Sequence, residues 1–407
     1  MIFKLAFRNI SRNPRRTGIT VSAILFAVMS AVFMNSMERG TWDRLIDNIV
    51  SFHSGHIQIH AKKYWEEQSL DYSFEWTEAL NKSISNINKI KAIAPRIEGF
   101  ALAYNYSDTS SKGVLLVGTD PEKENNMSGL ENRVCKGAYF NKEDKAVLMA
   151  EGLAKQLKIL PGDTLTLISQ GYHGANAAGR YPVKGIVSFG SPELNKQLVY
   201  LPLKEAQYFF DAEGLISSAV VSIENRLFLK PVLKNIKAEL DSSKFEVMGW
   251  DEIMPELVQA KEMDELGNYL PLGILYVVIS FGIFGTIIMM TKERQYEFAV
   301  LTAIGMSRFR LAMTVWLETV FLGMIGVSGG ILISLVPVGY FHFNPINMGE
   351  QYSETFEKFG MDPLMPTSLA PDLFYVQAII VFIITSVLAL YPIVNILRLK
   401  PVEAMKS

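Results

Sequence analysis

The chain is predicted to be a membrane α-helical protein: four transmembrane helices in a one-plus-three order, with a large α+β extracytoplasmic domain between helices 1 and 2. Three observations carry this. First, four long apolar stretches occur, at Gly18–Met37, Gly267–Thr291, Leu311–Val336 and Leu373–Leu397, and each reaches the ~20 residues a helix needs to cross a bilayer. Second, ordinary water-soluble sequence fills 38–266, and Glu318 is the one formal charge inside any apolar stretch. Third, 49% hydrophobic and 20% charged residues are too polar a mixture for a chain that is all membrane. The net charge of −2 gives no basic field for nucleic acid. The lone Cys135 cannot form an intrachain disulfide, so the soluble part must stand on packing.

Taken in order, residues 1–17 read as an interfacial helix. Ile2, Phe3, Ala6, Phe7 and Ile10 fall on one stripe, Lys4, Arg8 and Arg12 lie off it, and Pro14 breaks it. Span one, 18–37, is read as a retained helix. A cleaved signal peptide is the alternative, but no small-x-small site precedes Glu38-Arg39. The extracytoplasmic domain is 38–266 and span two 267–291. A polar segment, 292–310, leads to span three, taken as 311–341. A loop over 342–372, span four over 373–397 and a tail over 398–407 complete the chain.

Short-loop charge sets the orientation. Lys4, Arg8, Arg12, Arg15 and Arg16 precede span one. Lys292, Arg294, Arg308 and Arg310 lie between spans two and three, and Arg398, Lys400 and Lys406 follow span four. The loop after span three has Lys358 against Glu350, Glu354, Glu357, Asp362 and Asp372. The positive-inside rule places both termini and 292–310 in the cytoplasm.

The segment KERQYEFAVLTAIGMSRFR is too polar to enter the membrane and too apolar for an idle tether. Phe298, Val300, Leu301 and Ile304 are expected to form one packing face, with Gly305 ending a short helix. Glu293, Arg294 and Glu297 stand at its start, as a docking element for a partner. In span three, Gly326 and Gly330 have the four-residue spacing that lets helix backbones approach, within the chain or against a second permease; Gly282 and Gly285 make a pair in span two. Glu318 lies about 10 Å inside span three by helical rise. An intramembrane carboxylate is a functional candidate, but Arg310 could reach it from the interface and no second ionisable group offers a proton path, which favours a structural role.

In the soluble part, strands are predicted at Gly55–His60, Gly113–Gly118, Ala146–Met149, Thr164–Ser169, Tyr181–Val187 and Leu198–Leu201. His53, His56 and His60 invite a metal reading. His56 and His60, however, would lie ~13 Å apart along a strand, too far for one zinc ion. QGYHGANAAGR is rich in glycine and alanine and is expected to be a mobile hairpin. No G-x-x-x-x-G-K-[ST] phosphate loop occurs, and no Ser/His/Asp, C-x-x-C or H-E-x-x-H arrangement stands out, so no catalytic residues are assigned.

Several of these segments together resemble a family. KERQYEFAVLTAIGMSRFR is similar to the ER-x-x-E-x-A-x-L-x-A-I-G segment of permeases related to lipoprotein-releasing, macrolide-export and cell-division ABC transporters. LAFRNISRNPRRTGIT resembles the A-x-R-N-x-x-R-x-x-R-R-T opening of that family, and LRLKPVEAMK its L-x-P-x-E-A-L ending. The strand at Gly55–His60, KAVLMAEGLAKQLKILPGDTLTLI and YPVKGIVSFGSPELNKQLVYLPLKEAQYFF are similar to its periplasmic signatures, those of the lipoprotein-releasing permeases most of all.

The resemblance spans essentially the whole chain and carries several implications. The 292–310 segment, with Glu293, Arg294, Glu297, Leu301, Ile304 and Gly305, would be the coupling helix touching a separate ATPase, which itself binds ATP and Mg. The chain would hold no cofactor, and would pair with a second permease copy or paralogue in a bacterial inner membrane. A porter-like lobe next to the membrane, about 51–100 plus 222–266, would carry an inserted lobe at about 101–221. The hairpin bearing Tyr172, His173 and Arg180 occupies the position that captures a lipoprotein carrier in one such subunit, though it lacks the proline character of that hook. Lipoprotein extraction is the implied work. Drug or peptide export, and activation of a cell-wall hydrolase, are the alternatives.

Overall fold

The computed structural model describes residues 14–50, 54–105, 110–189, 194–349 and 364–398. The expected interfacial helix before Pro14, His53, the acidic part of the 342–372 loop and the tail beyond Arg398 lie outside the described residues. The described residues divide into two compact units. One holds 14–43, 261–347 and 364–398; the other holds 44–260 with 348–349.

In chain order, helix α1 is Pro14–Ile49. The soluble unit follows, with β1 (Ile57–Ala61), β2 (Phe74–Glu75), α2 (Glu78–Ser85), β3 (Ile90–Asn105), β4 (Ser110–Thr119), α3 (Pro121–Ser128), β5 (Val134–Gly137), β6 (Val147–Ala150), α4 (Glu151–Leu157), β7 (Thr164–Gln170), β8 (Asn176–Val187), β9 (Leu198–Pro202), α5 (Leu203–Phe209), β10 (Leu215–Ile216), β11 (Ser218–Ile223), α6 (Leu229–Glu239) and β12 (Phe245–Gly249). The chain then returns to helices: α7 (Pro255–Glu293), α8 (Gln295–Ala303), α9 (Arg308–Phe343), α10 (Asp372–Leu388) and α11 (Leu390–Leu397).

Among the described residues, four helices are long and apolar enough to cross a membrane: Thr17–Ile49, Pro255–Glu293, Arg308–Phe343 and Asp372–Leu397. The first two exceed their apolar cores, because no Gly-Pro break follows Met37 or precedes Gly267 and helical backbone runs on into polar sequence. Polar side chains join those extensions. Trp42 Nε1 donates to Asp264 at 2.7 Å, Arg39 pairs with Asp372, and Asn268 donates to Glu38. Lower down, Ile24, Val28 and Val32 of α1 pack with Ile279, Ile283 and Ile287 of α7, Val327 of α9 and Val381 of α10.

The soluble unit has two cores on one sheet. Strands β12-β1-β11-β3 form an antiparallel four-stranded layer. With α2 and α6 between strands, the order is β-α-β-β-α-β, a ferredoxin-like split βαβ. Ile57, Ile59, Ile84, Val221, Ile236 and Val247 fill its core. Between its second and third strands lies the inserted lobe, where β3-β4-β9-β6-β8-β7 closes into a six-stranded ring, with β7 pairing back onto β3. Closure leaves no free edge within the ring. Inside sit Ala101, Ala103, Leu116, Met149, Leu165, Leu167 and Val199. β3 belongs to both lobes: its first half pairs with β11 and its second with β7. The expected boundaries at 100/101 and 221/222 therefore cut through β3 and β11. Residues 255–266, expected in the first lobe, are the start of α7.

Candidate functional site

The 292–310 segment folds as a clip between α7 and α9. Arg294 interrupts the helix after Glu293, and α8 resumes at Gln295. Gly305, at φ 106°, ends it. The Gly305 N–H donates to the Thr302 carbonyl at 3.1 Å and that of Met306 to Leu301 at 3.0 Å, a Schellman closure that a glycine makes without strain. Ser307 then caps α9 by accepting from the Arg310 N–H.

Phe298 and Ala299 are the buried face of α8, packed on Leu311, Ala312 and Val315 of α9 and Ile396 of α11. Leu301 and Ile304, expected on that packing face, are 40% and 80% exposed. At ~100° per residue Ile304 sits roughly 170° and Leu301 roughly 110° from the direction midway between Phe298 and Ala299, so Ile304 faces away from the packing and Leu301 lies at its margin. Tyr296 and Phe309 are exposed beside them. The clip thus leaves apolar side chains exposed on a short helix anchored at both ends.

The charges are arranged differently from expectation. Glu293 is exposed, but Arg294 turns inward. Its Nη1 donates to both carboxylate oxygens of Glu318, at 2.9 and 2.8 Å. Its Nε meets Glu297 at 3.3 Å, and its guanidinium lies 5.2 Å from the Phe298 ring centre. Glu318 is 1% exposed. Its observed basic partner is Arg294, whereas Arg310, the expected one, is exposed at the helix start.

In α9, a Cβ at Gly326 would lie 2.7 Å from Ile24, and one at Gly330 2.8 Å from the Leu25 carbonyl and from Val28. Both glycines therefore face α1 of the same chain. A Cβ at Gly323 would lie 2.6 Å from the Thr385 side chain of α10. A Cβ at Gly282 or Gly285 would meet nothing within 4 Å.

The soluble-unit candidates do not converge on one site. The hairpin expected to be mobile is short and tethered, since β7 runs to Gln170 and β8 starts at Asn176. Tyr172 N–H donates to the Phe210 carbonyl at 2.8 Å and His173 N–H to Asp71 Oδ1 at 2.7 Å. Arg180 stands within β8 opposite Thr166, away from the turn. His60 stacks on Tyr64 at 5.0 Å, with Nε2 against Gln58 Oε1 and Nδ1 against the Ser217 carbonyl. The Ile223 N–H donates to His56 Nδ1. Burial lowers both imidazoles to about 4, aided at His56 by Arg226 and Lys91 and opposed at His60 by the Ser217 carbonyl. Among the described residues no cluster of three His, Cys, Asp or Glu side chains is placed to hold a metal.

One charged cluster was not foreseen. Arg96, fully buried in β3 where the two lobes meet, donates to both oxygens of Glu124 in α3, at 2.9 and 2.7 Å. Thr119 and Ser128 complete the carboxylate's hydrogen bonds, and Glu98 approaches Arg96 at 3.4 Å. Burial works to raise the Glu124 carboxyl, but Arg96 and the two hydroxyls outweigh it and hold it below the usual range. The available signal was an arginine in the apolar run IAPRIEGFALA.

Comparison with known proteins fits these two units. The model of the MacB-like periplasmic core domain matches residues 17–239, and that of the FtsX-like permease C-terminal matches 270–401. The chain is 22% identical to the lipoprotein-releasing system transmembrane protein LolE of Haemophilus influenzae, over 95% of this chain and 91% of that one. It is 23% identical to the macrolide export ATP-binding/permease protein MacB of Nitrobacter winogradskyi, over 98% of this chain and 59% of that one. The crystallised periplasmic region of MacB from Actinobacillus actinomycetemcomitans aligns at 15% identity and a TM-score of 0.36, over 53% of this chain and 97% of that one. The chain belongs to the family of ABC transporter permeases that join a MacB-like periplasmic core domain to an FtsX-like permease C-terminal region.

Proposed function

We propose that the chain is the membrane subunit of an ATP-driven complex of a bacterial inner membrane, and that it extracts lipoproteins from the outer leaflet for delivery toward the outer membrane. The observation that carries the mechanical part is the α8 clip, anchored by Phe298 and Ala299 and presenting Tyr296, Leu301 and Ile304 outward. An ATPase chain that binds ATP and Mg would press on this face. The four helices would cross once before the soluble unit and three times after it, with both termini and α8 in the cytoplasm, a reading the charge of the short loops supports. A second permease copy or paralogue would complete the complex, and a periplasmic carrier would take the lipoprotein. The lipoprotein reading rests on the LolE relative, matched over nearly the full length of both chains.

The chain's own residues do no bond-breaking chemistry in this scheme. ATP binding would close the ATPases and displace α8, and the packed helices would shift as rigid elements between two arrangements. A substrate lifted from the outer leaflet needs no hydrophilic tunnel, and four spans per chain do not have to form one. The MacB relative, matched over 98% of this chain, favours a second reading, export of a drug or peptide.

Purification of the tagged chain from native membranes in gentle detergent, followed by mass spectrometry, separates these readings. A small ATPase with acylated lipoproteins supports extraction, whereas an ATPase with an outer-membrane channel or adaptor supports export. An ATPase with a cell-wall hydrolase points instead to regulation of that enzyme.

A further inference from the structure

The α8 clip is joined to α9 at its C-terminal end by the Ile304–Ser307 turn, and Gly305 within it is at φ 106°, a backbone state open mainly to glycine. A helix fixed at one end by such a turn can pivot about it. Its N-terminal end runs on into α7 through Arg294, and what ties that end to α9 is the Arg294 side chain, which grips Glu318 ten residues into α9 with Nη1 on both carboxylate oxygens. The arginine is itself oriented by Glu297 at 3.3 Å and by the Phe298 ring. Glu318 is buried, and roughly 80–140° round α9 from it lie Gly323, Gly326 and Gly330, where an added Cβ would meet Thr385 of α10 and Ile24, Leu25 and Val28 of α1.

We propose that Arg294 and Glu318 form a strut that fixes the second end of α8, so that α8 and α9 move as one body. They are positioning residues for transport, not ATPase contacts. This rests on the proposed role of α8 as the element an ATPase presses. With the strut in place, a push on the exposed face of α8 displaces α9, and the glycine-lined contacts pass that displacement to α1 and α10. Without it, α8 is held to α9 by the packing of Phe298 and Ala299 and by the Gly305 turn, and more of the same push is lost in rotation of α8. A charge pair suits this task better than apolar packing, because a buried arginine-carboxylate contact is directional and costly to break. It also accounts for a carboxylate in an otherwise apolar span.

The test uses the full permease with its co-purified ATPase in vesicles of phosphatidylethanolamine and phosphatidylglycerol, with a triacylated reporter lipoprotein as probe. The variants are Glu318→Gln, Arg294→Lys and the reversed pair Arg294→Glu with Glu318→Arg. Spin labels at positions 296 and 309, with Cys135→Ser, report the α8–α9 distance. Glu318→Gln is expected to retain the ATPase and its hydrolysis, to broaden the label distance, and to lower lipoprotein released per ATP by roughly tenfold or more. Arg294→Lys should fall in between, and the reversed pair should recover both readouts.

Unchanged distance and unchanged release per ATP in Glu318→Gln would overturn the strut. So would loss of the ATPase from that variant, which would make the pair a docking contact. If the unaltered permease carries no ATPase, it is the coupling role of α8 that fails. The label distance, which needs no ATPase, still reports separately whether Glu318 fixes α8.

Discussion

Arg96→Met tests the account of how the two lobes are joined. The substitution keeps an unbranched side chain of similar reach but removes the charge that faces Glu124 at 2.7 and 2.9 Å. Neither partner has exposed surface, so the orphaned carboxylate gains no water. Breaking a buried pair from one side costs about 3–5 kcal/mol. Part of this would be relieved because Glu124, with burial opposed only by the Thr119 and Ser128 hydroxyls, takes up a proton more readily. That fixes a sign. In the unaltered chain, the depressed Glu124 contributes stability present above its unfolded pKa and lost as pH falls through the lower folded value. In Arg96→Met the carboxyl is raised instead, so the deficit should be largest at neutral pH and shrink on acidification.

Native-state hydrogen exchange on the full chain in detergent reads this directly. Amides of β3 and α3 should exchange roughly two to four orders of magnitude faster at pH 7, the equivalent of that free energy. The double variant Arg96→Met with Glu124→Leu should be less damaged than Arg96→Met, because replacing both partners of a buried pair is far milder than removing one. A loss below about 1 kcal/mol in the single variant would refute the reasoning, as would a double variant worse than either single.

The remaining expectations follow from geometry already described. Gly330→Val places atoms against the Leu25 carbonyl and Val28, already 2.8 Å from a bare Cβ, and should cost about 1–3 kcal/mol, seen as a lower melting temperature in detergent. Gly282→Ala, with nothing within 4 Å, should leave that temperature unchanged or slightly raised. His56 and His60, lowered to about 4 from 6.5, are neutral in the fold and charge more readily unfolded. The soluble unit should keep full stability above about pH 6.5 and lose up to ~3 kcal/mol per histidine by pH 4, and His60→Gln should flatten that slope in urea titrations. His173→Ala, an exposed turn side chain 3.4 Å from Asp71, should change stability by no more than about 0.5 kcal/mol.

Hydropathy made the four membrane helices legible, because lipid demands an unbroken apolar run. It could not give their ends. α1 continues to Ile49 and α7 begins at Pro255, since helical hydrogen bonding ignores the change from apolar to polar side chains. Apolar stretches set between turns located β4, β6, β7 and β9 to within a few residues. The lobe boundaries failed on β3, a 16-residue strand that serves two cores, and no local pattern marks where its partner changes from β11 to β7. For the hairpin at Gly171–Arg180, small residues suggested mobility. In the fold they permit closeness: a Cβ at Gly171 would lie 2.5 Å from the Phe210 carbonyl.

At the candidate site, the short helix and its glycine stop were readable from Gly305 and the apolar spacing. Which of its faces was buried was not, because Phe298, Val300, Leu301 and Ile304 are equally apolar and a nine-residue helix can bury only some of them. The Arg294–Glu318 pair spans 24 residues and two helices, and charge rules for neighbouring residues see only three or four positions along one helix. Arg310 was nearer in sequence but stays at the exposed start of α9.

The central claim is that α8 receives the thrust of an ATPase. A photo-crosslinking residue at position 304 in the full chain, irradiated in native membranes with and without ATP, tests it most directly, with position 160 of the soluble unit as control. The account expects a single prominent adduct with an ATPase from position 304, changing in yield with nucleotide, and none from position 160. An ATPase adduct absent from 304, or equally strong from 160, would contradict it.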